Sequence, residues 1–457
     1  MRIPKLLLSL VAIFALSRAV LYTLFPFRTD FLPWLNQLLD IELLKTNLWE
    51  SVYYLHATPP LYNVYIGLVL QTSPEAVLPY TFAALHFFMG LGMVAMTYAL
   101  LNYLTASPRL AFLGGLTLLA YPILFRFEII PFYTYPIAFL LVLSAFLLMR
   151  FLKTNRGGYI VACLVVLLTL ILFRNFFHVI VFFIPIAVGL CALVYARQRS
   201  FFTTAVIASA IVLATGLVPS IRNYADYGVF SSSTWQGMQL FSMTHFVPDE
   251  KIDSLIATGT VTPLAKLPRF QNPDPYYAYY DLEPREGIPS LDNLYKSGGE
   301  QYGNFNNWIY IETAKEYQKD ALAIITAYPQ YLLPKLANSM YIFFGFAPYR
   351  YFDKADEWFI FDGGLLKQGY QAAKYFIEPA LYALLFFSLF VGLRKTRDPL
   401  LLYLLFVLIY VFAVANIVEL GENNTARVPI DPLVLILALY LFHDWLVRVL
   451  PRERKLL

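Results

Sequence analysis

Long apolar runs separated by short polar segments make up most of this 457-residue chain. Ten of the runs approach the roughly 20 residues that a helix needs to cross a bilayer, and few charged residues interrupt them. We therefore predict an all-α polytopic membrane protein, a bundle of about ten to twelve helices. The predicted spans are Leu6–Phe25, Thr81–Leu104, Leu110–Phe125, Tyr133–Met149, Tyr159–Phe173, Phe176–Tyr195, Phe202–Pro219, Phe376–Leu393, Leu400–Val418 and Leu433–Val449.

The first of these runs has the position of a secretory signal peptide. No small-residue cleavage site follows it, and its apolar stretch is longer than the central region of such a peptide. We expect it to be retained as the first helix.

Basic residues predict the orientation, because short cytoplasmic loops are enriched in Lys and Arg. They occupy every second loop, which places both termini in the cytoplasm. The alternation requires that Leu61–Leu70 and Tyr331–Phe346 are not both ordinary spans, and we predict interfacial or re-entrant helices there. A bacterial inner membrane is expected for so compact a chain without a retention signal. The basic positions are Arg2 and Lys5, Arg109, Arg150 with Lys153 and Arg156, Arg197 with Arg199, Arg394 with Lys395 and Arg397, and Arg448 to Lys455.

Two polar segments lie on the opposite, extracytoplasmic side of this topology. The first is an external loop over residues 27–79, and the second is a larger segment, residues 221–327, rich in Asn, Asp, Pro and Tyr. The larger segment has the composition of irregular structure with short helices and is predicted to form a cap. The chain then divides into an N-terminal transmembrane module (1–220), the cap region (221–327) and a C-terminal part (328–457).

Composition excludes several classes of function. With 59% hydrophobic and 14% charged residues the chain is not a soluble domain, and a net charge of +4 is too small to indicate nucleic-acid binding. Cys163 and Cys191 both lie in apolar runs, so no disulfide is expected. No metal-binding, phosphate-loop, dinucleotide or nucleophile-elbow motif is present, so the sequence requires no cofactor, although paired acids in the first loop would permit a divalent cation.

The first external loop carries Asp30 and Asp40 near a rigid Pro59-Pro60 turn. A carboxylate there could act as a general base toward an acceptor hydroxyl, and a solvated helix face is the alternative. His56 is either a buried interfacial histidine or a group that meets a phosphate.

Arg126 and Glu128 lie between two predicted spans in otherwise apolar surroundings. Ionisable groups at membrane depth need a partner or a ligand. The two residues either pair with each other or serve a function.

Two further clusters of candidate residues lie on the predicted extracytoplasmic side. Arg222, Asn223 and the hydroxyl run 231–234 could hold a phosphate or sugar hydroxyls, and Trp235 could stack on a sugar ring. Arg427 enters the last predicted span within Arg-Val-Pro-Ile-Asp-Pro and is suited to bidentate phosphate contact. An interface anchor is the alternative for either arginine.

Six segments, in order along the chain, resemble the GT-C superfamily of polyprenyl-phosphate-sugar-dependent glycosyltransferases, in its protein-mannosyltransferase-like and aminoarabinose-transferase-like branch. The family usually opens its first loop with an acid and a nearby tyrosine, and Asp-Glu-x-x-Tyr is absent here. Asp40 and Asp30 are the rival equivalents, with Asp40 preferred. The matching segments are LHATPPLYNVYIGLVL from Leu55, the acid Glu128, LILFRNFF from Leu170, RNYADYGVFSSSTWQGMQL from Arg222, YPQYLLPKL from Tyr328 and RVPIDPLVLIL from Arg427.

The resemblance implies inverting transfer of a sugar from an undecaprenyl or dolichyl phosphate to an acceptor, which is a protein, lipid or polysaccharide, on the outer face. The first-loop acid would deprotonate the acceptor, while Arg222, Lys335 and Arg427 would neutralise the departing phosphate. A lipid or solute transporter is the main rival, although it would more often show internal repeats. A non-catalytic assembly subunit is a third possibility.

Overall fold

The computed structural model describes residues 4–283, 286–344, 380, 382–383 and 398–449. Within these residues seven helices are long and apolar enough to cross a membrane, which confirms an all-α, multi-pass integral membrane protein. In chain order the α-helices are α1 (Lys5–Leu24), α2 (Ile41–Thr46), α3 (Leu48–Tyr53), α4 (Leu61–Thr72), α5 (Leu78–Thr105), α6 (Pro108–Leu119), α7 (Pro122–Glu128), α8 (Thr134–Thr154), α9 (Gly158–Phe173), α10 (Ile184–Arg197), α11 (Phe202–Tyr227), α12 (Gln236–Phe241), α13 (Asp249–Ala257), α14 (Asp274–Tyr280), α15 (Pro289–Asp292), α16 (Ile309–Ala327), α17 (Leu332–Phe344), α18 (Pro399–Val418), α19 (Asn423–Arg427) and α20 (Asp431–Val449).

Short helical turns extend or join these elements. A π-helical turn precedes α10, where it lengthens the apolar span to Val179–Arg197. The 3-10 helices are Thr29–Trp34, Arg199–Phe201, Ser242–Thr244, Pro263–Lys266, Pro329–Tyr331 and Val428–Ile430.

Eight of the ten predicted spans each coincide with a described helical span, a ninth is divided between two helices, and the tenth, Phe376–Leu393, lies almost wholly outside the described residues. The run Leu110–Phe125 is not one helix, because α6 and α7 meet at an angle of 58°. Pro122 explains the break, since proline lacks the N–H that would continue the helix and its ring excludes the preceding turn. The predicted span at Tyr159–Phe173 forms α9, which has only 16 residues.

One of the two runs assigned to the interface forms a short helix. The 12 residues of α4 are too few to cross a bilayer core of about 30 Å at 1.5 Å per residue, which agrees with the prediction for Leu61–Leu70. The other run, Tyr331–Phe346, lies partly outside the described residues, and α17 is described as far as Phe344.

Contacts between helix ends support the predicted up-and-down order. At one end the ammonium group of Lys153, near the end of α8, lies 5.1 Å from the ring of Tyr103, near the end of α5. At the other end the Arg28 N–H, which follows α1, donates to the Ile129 carbonyl, which follows α7, at 2.8 Å. The basic loops that follow α5 and α8 thus lie at one end of the bundle, and the first loop and the cap, which are joined by hydrogen bonds, lie at the other. Which end faces the cytoplasm stays a prediction.

The cap contributes aromatic residues to the core of the protein and is fastened to the first loop. Buried Tyr276, Tyr310 and Tyr317 pack between α14 and α16. The side chain of Asn306 accepts from the His56 N–H at 2.9 Å and donates to the carbonyl of residue 54 at 3.1 Å. The first loop is therefore enclosed between the membrane bundle and the cap.

Candidate functional site

Arg174, directly after α9, presents a buried guanidinium with unused hydrogen-bond donors. The residue is only 7% exposed, and its guanidinium carbon lies 4.8 Å from the ring centre of Tyr133 and 5.0 Å from that of Phe176. The nearest carboxylate oxygen, Oε1 of Glu419, is 3.9 Å from Nη2, which is too far for a hydrogen bond. Buried donors are normally paired. Within the described residues, the guanidinium makes no hydrogen bond, so its N–H groups can donate to an anion.

Glu419 faces Arg174 from the end of α18. Its side chain is 22% exposed, so the gap between the two charges opens to solvent. Tyr133 forms the side wall and is 4% exposed. A cation, a carboxylate and an aromatic ring therefore meet at the loop-bearing end of the bundle.

The backbone beneath Glu419 is held rigidly by Lys335 of α17. The Lys335 ammonium, fully buried, donates to the carbonyls of residues 416, 417 and 419 at 3.0, 2.7 and 3.0 Å. Ser339 and Asn423 also donate to the Glu419 carbonyl, at 3.3 and 3.1 Å. Burial lowers the pKa of Lys335 to about 8. All three ammonium protons are engaged, so Lys335 caps the α18 carboxyl terminus instead of presenting a free charge.

Arg427, predicted to contact phosphate, is enclosed at the junction of α17, α19 and α20. It is 1% exposed, and its Nη1 donates to the Phe343 carbonyl at 3.0 Å. Its Nε lies 3.5 Å from Oδ1 of Asp431, whose Oδ2 accepts from the Tyr121 hydroxyl at 2.8 Å. These contacts tie the last helix to the α6–α7 break.

Asp40 joins the first loop to the cap. Its Oδ1 accepts from the Ser297 hydroxyl at 2.6 Å and from the Glu42 N–H at 3.0 Å, and its Oδ2 accepts from the Ser297 N–H at 2.7 Å. The residue is 7% exposed. Both carboxylate oxygens are therefore occupied by bonds that hold the loop in place.

Asp30, in contrast to Asp40, is exposed to solvent. Arg28 Nε and Nη2 donate to its two oxygens at 2.8 and 2.7 Å, and the Asp30 side chain is 63% exposed. The hydrogen bonds from Arg28 lower the pKa of Asp30, which keeps it ionised at neutral pH. Of the two rival first-loop acids, Asp30 is the accessible one.

His56 is a buried hydrogen-bond link between loop and cap. Its Nδ1 lies 2.6 Å from the Thr234 hydroxyl and its Nε2 lies 2.8 Å from the Asn306 carbonyl. Burial lowers the pKa of His56 to about 3, so the ring is neutral at physiological pH. A neutral ring with both nitrogens occupied does not supply a cation to a phosphate.

Arg222 and Asn223, at the end of α11, fasten that helix to the first loop. Arg222 donates to the carbonyls of residues 52 and 53 at 3.2 and 2.6 Å, to that of residue 55, and to the Asn223 side chain at 2.7 Å. Asn223 in turn donates to the carbonyls of His56 and Ser231 at 3.3 and 2.8 Å. Arg222 therefore caps the carboxyl end of α3.

Trp235 belongs to the core of the cap. Its indole N–H donates to the Phe305 carbonyl at 3.1 Å, and the side chain packs against the rings of Phe270 and Phe305. With 4% of its surface exposed, it offers no open face to a sugar.

Glu128 pairs with Arg18 of α1, and not with Arg126. Arg18 Nε and Nη2 reach its two oxygens at 2.9 and 2.7 Å, and the Tyr22 hydroxyl adds a bond of 2.7 Å. Glu128 is fully buried. Arg126 is also buried, at 4% exposure. Of the two alternatives for Arg126 and Glu128, the ion pair between them is therefore not the one that the structure shows, and Glu128 joins two helices inside the bundle.

The predicted residues thus fall into separate clusters. His56, Arg222 and Asn223 meet at the junction of loop and cap, whereas Asp40 and Glu128 share no hydrogen-bond partner with them or with each other. Within the described residues, no group of three His, Cys, Asp or Glu side chains could hold a metal ion.

Comparison of the chain with protein-family models, with curated proteins and with solved structures found no match.

Sequence reasoning did not select the Arg174–Glu419 site. A single ionisable residue follows directly after a long apolar run at both positions, which is the signal of a charge held at the membrane edge. The sequence shows neither that the two chain segments meet nor that the buried guanidinium of Arg174 makes no hydrogen bond within the described residues.

Proposed function

We propose that this protein is a membrane glycosyltransferase of the GT-C type, which transfers a hexosyl or pentosyl group from a polyprenyl phosphate to an acceptor on the extracytoplasmic face. The reaction is a displacement with inversion at the anomeric carbon. Polyprenyl phosphate departs as the leaving group, and the acceptor oxygen takes its place.

The free guanidinium of Arg174 is the observation that carries this proposal. A departing polyprenyl phosphate gains negative charge at the phosphate oxygens. A preorganised cation in a site with little water stabilises that charge more strongly than bulk water does. The Arg174 guanidinium has five N–H donors and a planar shape that matches phosphate oxygens, and it makes no hydrogen bond within the described residues.

The location of Arg174 suits a ligand with a polar head and an apolar tail. The residue follows the apolar α9 directly and lies at the end of the bundle that carries the first loop and the cap. The phosphate could bind at this level while the prenyl chain stays among the lipid-facing helices. An acceptor would approach from the side of the cap.

The other predicted cations take a supporting part in the proposal. Arg222 and Lys335 direct their protons to backbone carbonyls, which fixes the first loop and the end of α18 on either side of the site. Asp40 and Asp30 stay the bases predicted from the family resemblance.

Transfer of radiolabelled sugar in proteoliposomes tests the proposal. The donors are undecaprenyl phosphates that each carry one labelled hexose or pentose, and a cell-envelope extract supplies acceptors. We expect the wild type to transfer label from at least one donor, and Arg174→Gln to lose most of that transfer. Arg156→Gln makes the same chemical change at an exposed position of the opposite end and should leave transfer intact.

Two results would contradict the proposal. One is wild-type protein that transfers no label from any donor. The other is movement of the labelled lipid across the bilayer without release of its sugar, which would indicate the rival transporter.

A further inference from the structure

Two aromatic side chains form an exposed surface where the first loop meets the cap. Trp34 is 54% exposed, and its ring centre lies 4.7 Å from that of Tyr302, with 79° between the ring planes. We propose that this surface, the Trp34–Tyr302 platform, binds a sugar unit of a polysaccharide acceptor. The role as acceptor site rests on the proposed glycosyl transfer and names the acceptor class of that reaction.

Trp34 takes the part that the sequence suggested for Trp235. Trp235 is enclosed in the cap at 4% exposure, whereas more than half of the Trp34 surface is open. In an edge-to-face pair one ring covers at most one face of the other, so the contact with Tyr302 leaves ring surface for a ligand.

The main chain around Trp34 is held in place by a buried lysine of the cap. The Lys296 ammonium donates to the carbonyls of Pro33 and Leu35, one on each side of Trp34, at 3.1 and 2.9 Å. A surface that is rigid beforehand loses little conformational entropy when a ligand binds, which increases affinity. The first half of the platform is therefore preorganised.

A tight turn of the cap fixes Tyr302. Its N–H donates to the Gly299 carbonyl at 3.0 Å, and its carbonyl accepts from the Lys296 N–H at 2.8 Å. A β-carbon at Gly298 would lie 2.8 Å from Cδ2 of the Tyr302 ring, which is closer than nonbonded carbon atoms approach. Glycine at this position therefore lets the ring pack against the main chain of the turn.

The size of the platform favours a small, flat ligand over a protein. A stable protein interface buries about 800 Å² on each partner, whereas one aromatic side chain buries about 150–250 Å². Two partly covered rings fall well short of a protein interface. They match the apolar face of a sugar ring, which is formed by C–H groups directed to one side.

Polar side chains next to the platform place it in water and not in lipid. The Asp30 side chain, on the same 3-10 helix as Trp34, is 63% exposed, and Glu300 and Gln301, directly before Tyr302, are also exposed. Exposed charges are costly inside a bilayer. Carboxylate and amide groups instead form the hydrogen bonds that sugar hydroxyls need. Aromatic rings with a polar rim are complementary to a saccharide.

The first loop connects the platform to Arg174. Six residues before Trp34, the Arg28 N–H donates to the Ile129 carbonyl at 2.8 Å. Four residues after Ile129, the ring centre of Tyr133 lies 4.8 Å from the Arg174 guanidinium carbon. The platform and the proposed phosphate site therefore lie at the same end of the bundle, as an acceptor site requires.

Transfer at varied acceptor concentration, with carrier binding measured on the same preparations, tests the assignment. The acceptor is the polysaccharide fraction of the cell-envelope extract, freed of protein by protease and of lipid by solvent extraction. We expect Trp34→Ala to raise the concentration for half-maximal transfer by about 10-fold, the scale of losing one aromatic contact. The maximal rate and the affinity for undecaprenyl phosphate should stay unchanged.

Further variants separate stacking from a structural role. Trp34→Tyr keeps an aromatic face and should recover most of the wild-type affinity for the polysaccharide. Trp49→Ala removes another tryptophan of the first loop, which is 66% exposed, and should change neither affinity nor rate. Thermal stability in detergent should be the same for all of these variants. If Trp34→Ala is unstable, Tyr302→Ala removes the other ring and carries the same expectation.

Two results would overturn the inference and leave the proposed function standing. One is wild-type affinity of Trp34→Ala for the polysaccharide. The other is label that enters only the protein or the lipid fraction of the extract, which would indicate a different class of acceptor.

A wild type that transfers no label from any donor removes the proposed function. Direct binding of the polysaccharide fraction to the protein in nanodiscs then decides whether the platform exists. Binding that Trp34→Ala weakens and Trp49→Ala does not would support a saccharide site, and no binding by the wild type would refute it.

Discussion

The Arg18–Glu128 pair makes a quantitative prediction about stability. Arg18 lies in α1, only six residues before its end, and both residues are almost fully buried. Glu128 accepts from Arg18 Nε and Nη2 at 2.9 and 2.7 Å and from the Tyr22 hydroxyl at 2.7 Å. Arg18 Nη1 also donates to the Leu119 carbonyl at 3.1 Å, at the end of α6 where the break leaves carbonyls without helical partners. The pair thus holds α1, α6 and α7 together.

Glu128→Ala should destabilise the protein by about 3–5 kcal/mol, because it leaves the guanidinium of Arg18 buried without its counter-ion. The double variant Arg18→Met with Glu128→Leu removes both charges and keeps similar volume. It should recover most of that loss, since replacing a buried ion pair by apolar residues is often neutral or stabilising.

Reversible unfolding in mixed micelles with increasing denaturing detergent measures these free energies. Thr23→Ala, at an exposed position of α1, is the control and should change stability by less than about 0.5 kcal/mol. A loss below about 1 kcal/mol for Glu128→Ala, or a double variant no more stable than the single one, would refute the reasoning.

Three further predictions concern the cap and the α18 terminus. Burial lowers the pKa of Lys296 to about 7. Because an undocked lysine keeps its proton up to about pH 10.4, docking of the cap should strengthen as pH rises from about 7 toward that value. Limited proteolysis measures the docking, and Lys296→Met should abolish its pH dependence. Asn306→Ala should lower the stability of the junction between loop and cap by about 1–3 kcal/mol, because two buried N–H groups lose their acceptor. Faster hydrogen exchange at residues 54–57 would report this loss. Lys335→Met should lower the free energy of unfolding in the same micelle assay, because three carbonyls at the end of α18 lose their donor.

The bundle could be predicted from the sequence because each span carries its own signal. An apolar run of sufficient length has one stable state in a bilayer, which is a helix with its backbone hydrogen bonds satisfied internally. Pro122 is a sequence signal for the break between α6 and α7. The apolar pattern continues through this proline, which is why the run Leu110–Phe125 is predicted as one span. Pro59-Pro60 likewise marked the start of α4 within the first loop.

The site could not be predicted, because it depends on contacts between distant segments. Arg222 and Lys335 are residue types that often bind phosphate, yet both donate to backbone carbonyls. Every residue has a backbone carbonyl, so the sequence does not show which of them a side chain will contact. Glu128 stands close to Arg126 in the chain but pairs with Arg18 across the bundle. Arg174 differs from these cations only in what it lacks, a hydrogen-bond acceptor among the described residues, and only coordinates reveal that.

Binding of undecaprenyl phosphate to the purified protein in nanodiscs tests the central claim most directly. The account predicts saturable binding by the wild type and Arg156→Gln. Arg174→Gln should bind about 10–100-fold more weakly, which corresponds to the roughly 1.5–3 kcal/mol of hydrogen bonds to a charged group. Equal affinity of Arg174→Gln and wild type would show that this guanidinium does not hold the carrier phosphate.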